Sequence, residues 1–333
     1  MHLVLPGLLA VIPALAAAQA PDSAAFVTRL GTDTLAVERF VRTGDRIEAD
    51  VLLRAPRTSR TRYSQDIAPT AELPFIDMAH WPFEAALIRL RGSGRAHDTI
   101  AMGPLGRPIP FVFQAVGADS VAITHPTRGT MRAHVDARGR LLGLDASATT
   151  RALIVERRPW MELDAIEARW RAADAAGRSV GALSGRGAAR GPIGGATITV
   201  DFGTPQKRGR AIWGALVPYG RLWRTGANRA THLTTDRDLM LGAGAGALVV
   251  PAGTYTLFTI PEAGGGTLVV NRQTEQTGTE YDAAQDLGRV PMMPRPLASV
   301  VEGFTIVITE ERGRGELRLQ WDTTEYVVPV RAR

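Results

Sequence analysis

The chain has 333 residues, more than one ordinary core, and its 45% hydrophobic and 22% charged residues are the proportions of a two-domain globular protein. The net charge of +6 is spread out: residues 21–176 carry 21 basic and 19 acidic groups, 177–195 carry 3 and 0, and 196–333 carry 15 and 14. Neither half therefore presents a basic footprint for nucleic acid, and the absence of cysteine excludes disulfides and a lipidated cysteine anchor.

Residues Leu3 to Ala18 are apolar and end in Ala18-Gln19-Ala20, an A-x-A type cleavage site. The stretch is short and broken by Pro6 and Pro13, so it reads as an export signal removed at about Ala20 and not as a membrane span. No other segment qualifies as a span, and the expected location is periplasmic or secreted.

Residues 25–157 read as an antiparallel meander. In Arg46–Leu53, Ile47, Ala49, Val51 and Leu53 alternate with other residues, and in Thr130–Asp136, Met131, Ala133 and Val135 oppose Arg132, His134 and Asp136. A period of two buries one face and leaves the other wet. Thr43-Gly44-Asp45 and Arg138-Gly139 mark turns, and proline-rich breaks at 104–110 mark a longer loop. Residues 159–176 read as the one helix, with Pro159 in its first turn, an apolar stripe of Leu163, Ile166, Trp170 and Ala173, and Gly177 as its stop. The helix is expected across the open side of the first sheet, with Trp170 as a core anchor.

Residues 177–195 hold seven glycines, three arginines and no acid. They read as a flexible linker spanning about 25 Å r.m.s., which would let the domains move independently. Residues 196–333 return to short alternating strands: Ile198, Val200 and Phe202; Phe304, Ile306 and Ile308; Leu317, Leu319 and Trp321; Tyr326, Val328 and Val330. The expected fold class is all-β: a partly open barrel-like meander with one packing helix over 21–176, then a β-sandwich over 196–333.

Lysine occurs once, at Lys207, and asparagine twice, at Asn228 and Asn271, against 38 arginines. A composition that replaces Lys with Arg and Asn with Asp retains them where a compact ammonium or an amide NH₂ is needed, so these positions point to a site in residues 196–333.

The run from Lys207 to Thr231, with its core Trp223-Arg224-Thr225-Gly226-Ala227-Asn228, resembles the bacterial exported proteins of domain of unknown function 2911. The likeness continues through Pro251–Pro261, Asn271 and Tyr281–Val290 and covers about 196–333. It implies an all-β domain and export, and no reaction. At Arg229 the chain departs from the family pattern, which carries an acid, so a ligand contact through that acid is not carried over.

The ligand-binding candidates are Lys207, Arg210, Trp223, Arg224, Asn228, Asn271, Asp286 and Arg289. Arg224 beside Trp223 can stack on an indole and still fork onto a carboxylate or phosphate, and Asn228 offers one acceptor and two donors. The same residues also fit structural duty, Arg224 as an internal ion pair with Asp286 and Asn228 as a turn. The six histidines lack metal-ligand spacing, no G-x-S-x-G elbow is present, and Gly242–Gly246 opens no helix, so neither metal nor cofactor is expected. The preferred reading is a non-catalytic binding module for a polar or anionic ligand, such as a glycan or envelope component. The alternatives are a structural or assembly protein of the envelope and an extracytoplasmic hydrolase with Asp286 or His232 as base.

Overall fold

A computed structural model describes residues 21–103, 108–126, 128–149 and 151–333. The expected export signal, residues 1–20, lies outside the described residues. The first half contains strands β1 (Asp22–Leu30), β2 (Asp33–Thr43), β3 (Arg46–Leu53) and β4 (Ser59–Asp66), helix α1 (Trp81–Ser93), and strands β5 (His97–Met102), β6 (Ile109–Ala115), β7 (Ser120–His125), β8 (Gly129–Val135), β9 (Leu141–Ala146) and β10 (Leu153–Arg158), then helix α2 (Leu163–Ala175). The ten strands form one antiparallel sheet in the order β4-β3-β2-β1-β10-β9-β8-β7-β6-β5. Its end strands β4 and β5 do not pair with each other, so the sheet curls without closing.

Alternation sets the two faces. Phe26, Phe40, Val51, Phe111 and Phe113 turn into one core, while Val112 between the two β6 phenylalanines is exposed. Helix α1 fills the concave side: Trp81, Phe83, Ala86, Leu87 and Leu90 join that core. Two buried carboxylates tie it down. Glu38 accepts from the backbone N–H of His80 (2.6 Å) and Trp81 (2.9 Å), and Glu84 accepts from the Leu141 N–H (3.0 Å) and pairs with Arg157.

The element covering the open side is therefore α1, which the sequence reading lacks. Its first turns are buried nearly all round, so no amphipathic stripe announces it. The expected helix is α2, beginning at Leu163 and not Pro159, and it lies on the outer face. There Leu163 and Trp170 pack on Val37 and Leu52. Polar ties complete the seat: Arg60 pairs with Asp164 and Glu167, and Asp174 accepts from the Thr58 N–H at 2.7 Å.

The second half contains β11 (Ser184–Ile193), β12 (Ala196–Pro205), β13 (Thr231–Thr235), β14 (Leu239–Leu241), β15 (Leu248–Val250), β16 (Gly253–Glu262), β17 (Gly265–Asn271), β18 (Asp286–Glu311) and β19 (Arg314–Ala332). They form an antiparallel sheet in the order β11-β12-β13-β16-β17-β18-β19-β14-β15. The long β18 pairs with β17 up to Met292 and with β19 from Met293. The sheet thus folds over into two layers around one core, which includes Val200, Leu257, Val290, Phe304, Trp321 and Val328.

Residues 184–193 of the expected linker are strand β11, paired along its length with β12. Its glycines serve packing. A Cβ on Gly187 would meet the Phe202 ring at 2.6 Å, and one on Gly191 would meet Ile308 at 3.0 Å. The halves also touch. Arg208 pairs with Asp33 at 3.2 Å and donates to the Val180 carbonyl at 2.7 Å, while Gly31, at φ +56°, lies against the Arg208 carbonyl so closely that a Cβ would fall 1.8 Å from its oxygen. These contacts oppose the independent motion expected from a free linker.

Candidate functional site

The eight sequence candidates fall into three places. Lys207 and Arg210 form a hook after β12. The Lys207 ammonium donates to Asp322 at 2.7 Å and to the Arg210 carbonyl at 2.8 Å, and the Arg210 guanidinium turns back onto the carbonyls of Lys207 and Gln206. Burial pushes the Arg210 pKa down to about 10. The rare lysine is thus committed to bracing a turn.

Asn271, Asp286 and Arg289 form a closed network where β17 meets β18. The fully buried Asn271 amide donates to Asp286 Oδ1 at 2.9 Å and to the Asp282 carbonyl at 2.8 Å, and its oxygen accepts from the Gln273 N–H. Asp286 Oδ2 accepts from the Tyr281 hydroxyl at 2.8 Å and from Arg289 at 3.1 Å. The Asn271 amide and both Asp286 oxygens have protein partners. The Arg224–Asp286 pair considered from the sequence does not form.

Trp223, Arg224 and Asn228 occupy the loop between β12 and β13. Trp223 bridges to Thr259 and stacks its ring on Trp321, with centroids 5.9 Å apart, and edge-on against Phe304. Its partly buried indole packs against the core of the second half. Asn228 takes a positive φ of 65° and donates to the Ser184 hydroxyl at 2.8 Å. Gly226 permits a close crossing: an added Cβ would sit 3.0 Å from the Gly203 carbonyl oxygen. Arg224 Nε reaches only the Gly226 carbonyl, at 3.4 Å, and no carboxylate pairs with Arg224 among the described residues. Burial first, and the charge of Arg128 second, lower its pKa.

The catalytic alternative loses its arrangement as well. Of the two bases named for it, Asp286 is held by Asn271, Tyr281 and Arg289, and His232 is registered opposite Asp201 on β12. Among the described residues no group of three or more His, Asp or Glu side chains could hold a metal ion.

An open groove of about 770 Å³ lies elsewhere, between α2 and the outer face of the first sheet. Its apolar surface comes from Val27, Val37, Met161, Ile166 and Trp170, with the half-exposed Trp160 at one side. Four arginines line it: Arg29 on β1, Arg54 after β3, Arg158 at the end of β10, and Arg169 on α2. Arg158 pairs with Glu156. Arg29, Arg54 and Arg169 make no ion pair among the described residues, because the acids of α2 are engaged elsewhere: Glu162 by Arg39, Asp164 and Glu167 by Arg60, and Asp174 by the Thr58 backbone. The Arg54 guanidinium stands over the Trp170 ring at 5.7 Å. Sequence reasoning missed this group because its arginines come from four separated segments with no shared motif. The one local signal is the run Arg158-Pro159-Trp160-Met161, which places an exposed tryptophan beside a cation ahead of a helix.

Among the described residues no helix is long and apolar enough to cross a membrane. No curated protein matches the chain's sequence. Solved structures give only remote likenesses. One described as "Binding domain of Botulinum Neurotoxin DC in complex with SialylT" is 8% identical, with 93% of this chain and 78% of that chain covered and a TM-score of 0.16. Another, "Cell entry of botulinum neurotoxin type C is dependent upon interaction with two ganglioside molecules", is 9% identical over 93% and 76%, with a TM-score of 0.11. At these scores neither bears on fold or function. The C-terminal region is the recognisable one: residues 184–330, which carry the Trp223–Asn228 loop and the β16 motif, match the family described as "Protein of unknown function (DUF2911)".

Proposed function

We propose that the protein is an exported, non-catalytic binding protein for a small anionic ligand, held in the groove beneath α2. The observation that carries this reading is the set of three arginines, Arg29, Arg54 and Arg169, left without carboxylate partners around a single groove. Arg29 and Arg169 are exposed and Arg54 is half-buried, so all three are free to fork onto carboxylate or phosphate oxygens, and such a set favours an anion from outside the chain. The groove volume falls in the range of roughly 300–1,000 Å³ typical of small-molecule sites. Its lining offers arginines and the Thr34 hydroxyl but no carboxylate or imidazole, which supports binding over proton-transfer chemistry. In the same reading the two sheets are two domains, the first holding the ligand and the second braced against it through Arg208. The leader-like residues Leu3 to Ala20 support a location outside the cytoplasm.

Calorimetric titration with octanoate tests the reading. One site per chain is expected, and the Arg54→Gln/Arg169→Gln double variant should weaken binding by about tenfold or more, the equivalent of one lost charged hydrogen bond. Arg169 is exposed and Arg54 adds one cation–π contact on Trp170, so the variant's melting temperature should fall by no more than about 4 °C. No binding, or equal binding by parent and variant, would refute the reading.

A further inference from the structure

We infer that the ligand of the α2 groove is an amphipathic anion, one charged head on an aliphatic body, with the head among Arg29, Arg54 and Arg169 and the body along Val37, Met161, Ile166 and Trp170. This rests on the reading of the groove as an anion site and specifies the rest of the molecule. A site for a bare inorganic anion needs only donors converging on a few oxygens. Here the cations come from three elements, β1, the segment after β3, and α2, and the surface between them is apolar.

Val37 and Trp170 are buried in the small cluster that seats α2, and Met161 and Ile166 extend that cluster towards the groove as half-buried side chains. An apolar body lying there would cover the surface that Met161 and Ile166 leave open, Val37 and Trp170 being already buried. Trp160 stands 43% exposed at the side, its ring under the Arg39 guanidinium at 4.8 Å and its indole N–H donating to Glu162 at 2.8 Å. Its polar end is thus satisfied, and the face away from Arg39 is left for an apolar neighbour. Glu156, two residues before Arg158 on β10, is paired with it, and Arg29, Arg54 and Arg169 make no ion pair among the described residues. A neutral apolar ligand would leave those charges unmatched, and a small hydrophilic anion would leave the apolar surface wet.

The test is a calorimetric series with the whole protein: acetate, butanoate, hexanoate, octanoate and decanoate, each below its micelle threshold, and octanol as the uncharged control. Affinity should rise by up to about fourfold for each methylene that becomes buried, then level off when the groove is filled. Octanol should bind at least about tenfold more weakly than octanoate. Ile166→Asn, at a half-buried position, should flatten the chain-length dependence. If all carboxylates bind equally and Arg54→Gln/Arg169→Gln abolishes them, the groove is a simple anion site: the amphipathic inference is overturned and the anion reading stands. If octanol binds as well as octanoate, the charged head is irrelevant and the inference is overturned. If no member of the series binds, both fall together.

Discussion

Asp50 is the point from which the α2 seat can be dissected. Its carboxylate is 10% exposed and accepts from three arginines: Arg60 at 3.0 Å, Arg39 at 3.1 Å and Arg62 at 3.1 Å. Burial by itself would raise its pKa, but the hydrogen bonds from Arg60, Arg62 and Arg39 outweigh burial and hold it down at about 2. An unfolded aspartate titrates near 3.9, and two units of depression correspond to roughly 2–3 kcal/mol of stabilisation when the group is ionised. Because the folded pKa is the lower one, this contribution is complete above about pH 4 and disappears as the pH falls through about 2. Two of the same arginines reach onward to α2, Arg60 to Asp164 and Glu167 and Arg39 to Glu162, so the loss should loosen the helix. Asp50→Asn should therefore cost about 2–3 kcal/mol at neutral pH in urea unfolding followed by tryptophan fluorescence. The gap from the parent should hold down to about pH 4 and close towards pH 2. A variant within about 0.5 kcal/mol of the parent at neutral pH, or a gap indifferent to acid, would refute the argument.

Three further outcomes are expected. Gly187→Ala should destabilise by about 1–3 kcal/mol through overpacking on Phe202, whereas Gly264→Ala, whose Cβ meets nothing within 4 Å, should be nearly neutral; equal effects in thermal melts would contradict the β11 pairing. Asn271→Ala should cost about 2–3 kcal/mol by stripping Asp286 and the Gln273 N–H of buried partners, with no effect on octanoate binding; a binding defect in a folded variant would return the site to β17. Burial pushes Glu38 up to about 8 against the His80 and Trp81 backbone donors. A raised folded pKa gives stability that is complete below the unfolded value near 4.3 and is lost as pH rises through about 8. Parent protein should accordingly lose more melting temperature over that range than Glu38→Gln, in which the raised Glu84 still titrates, and parallel curves would exclude Glu38 as a cause.

Strands were legible wherever one face is wet. Arg46–Leu53 is β3 as read from its alternation, and the turns at Gly44 and Gly139 join the strands they were expected to join, with φ of +57° and +82°. Where burial is two-sided the pattern vanishes, as in α1, whose Trp81–Leu87 run offers no polar face. Glycine-rich sequence misled for a related reason. In β11 glycine marks tight approach to Phe202 and Ile308, and composition cannot distinguish that from flexibility. The rare Lys and Asn residues did mark constrained atoms, yet Lys207 and Asn271 have their donors satisfied within the fold. The groove was hidden because Arg29, Arg54 and Arg169 meet only after β1, β3 and α2 have packed, and their lack of partners depends on where Arg39 and Arg60 send theirs.

The central claim is that ligand sits between α2 and the outer face of the first sheet. Hydrogen–deuterium exchange with and without saturating octanoate measures this residue by residue. Added protection is expected in Arg158–Ala173 and in β1 and β2 around Val27 and Val37, with the 207–231 segment unchanged. Protection centred on Lys207, Arg224 and Asn228, with α2 unaffected, would contradict it.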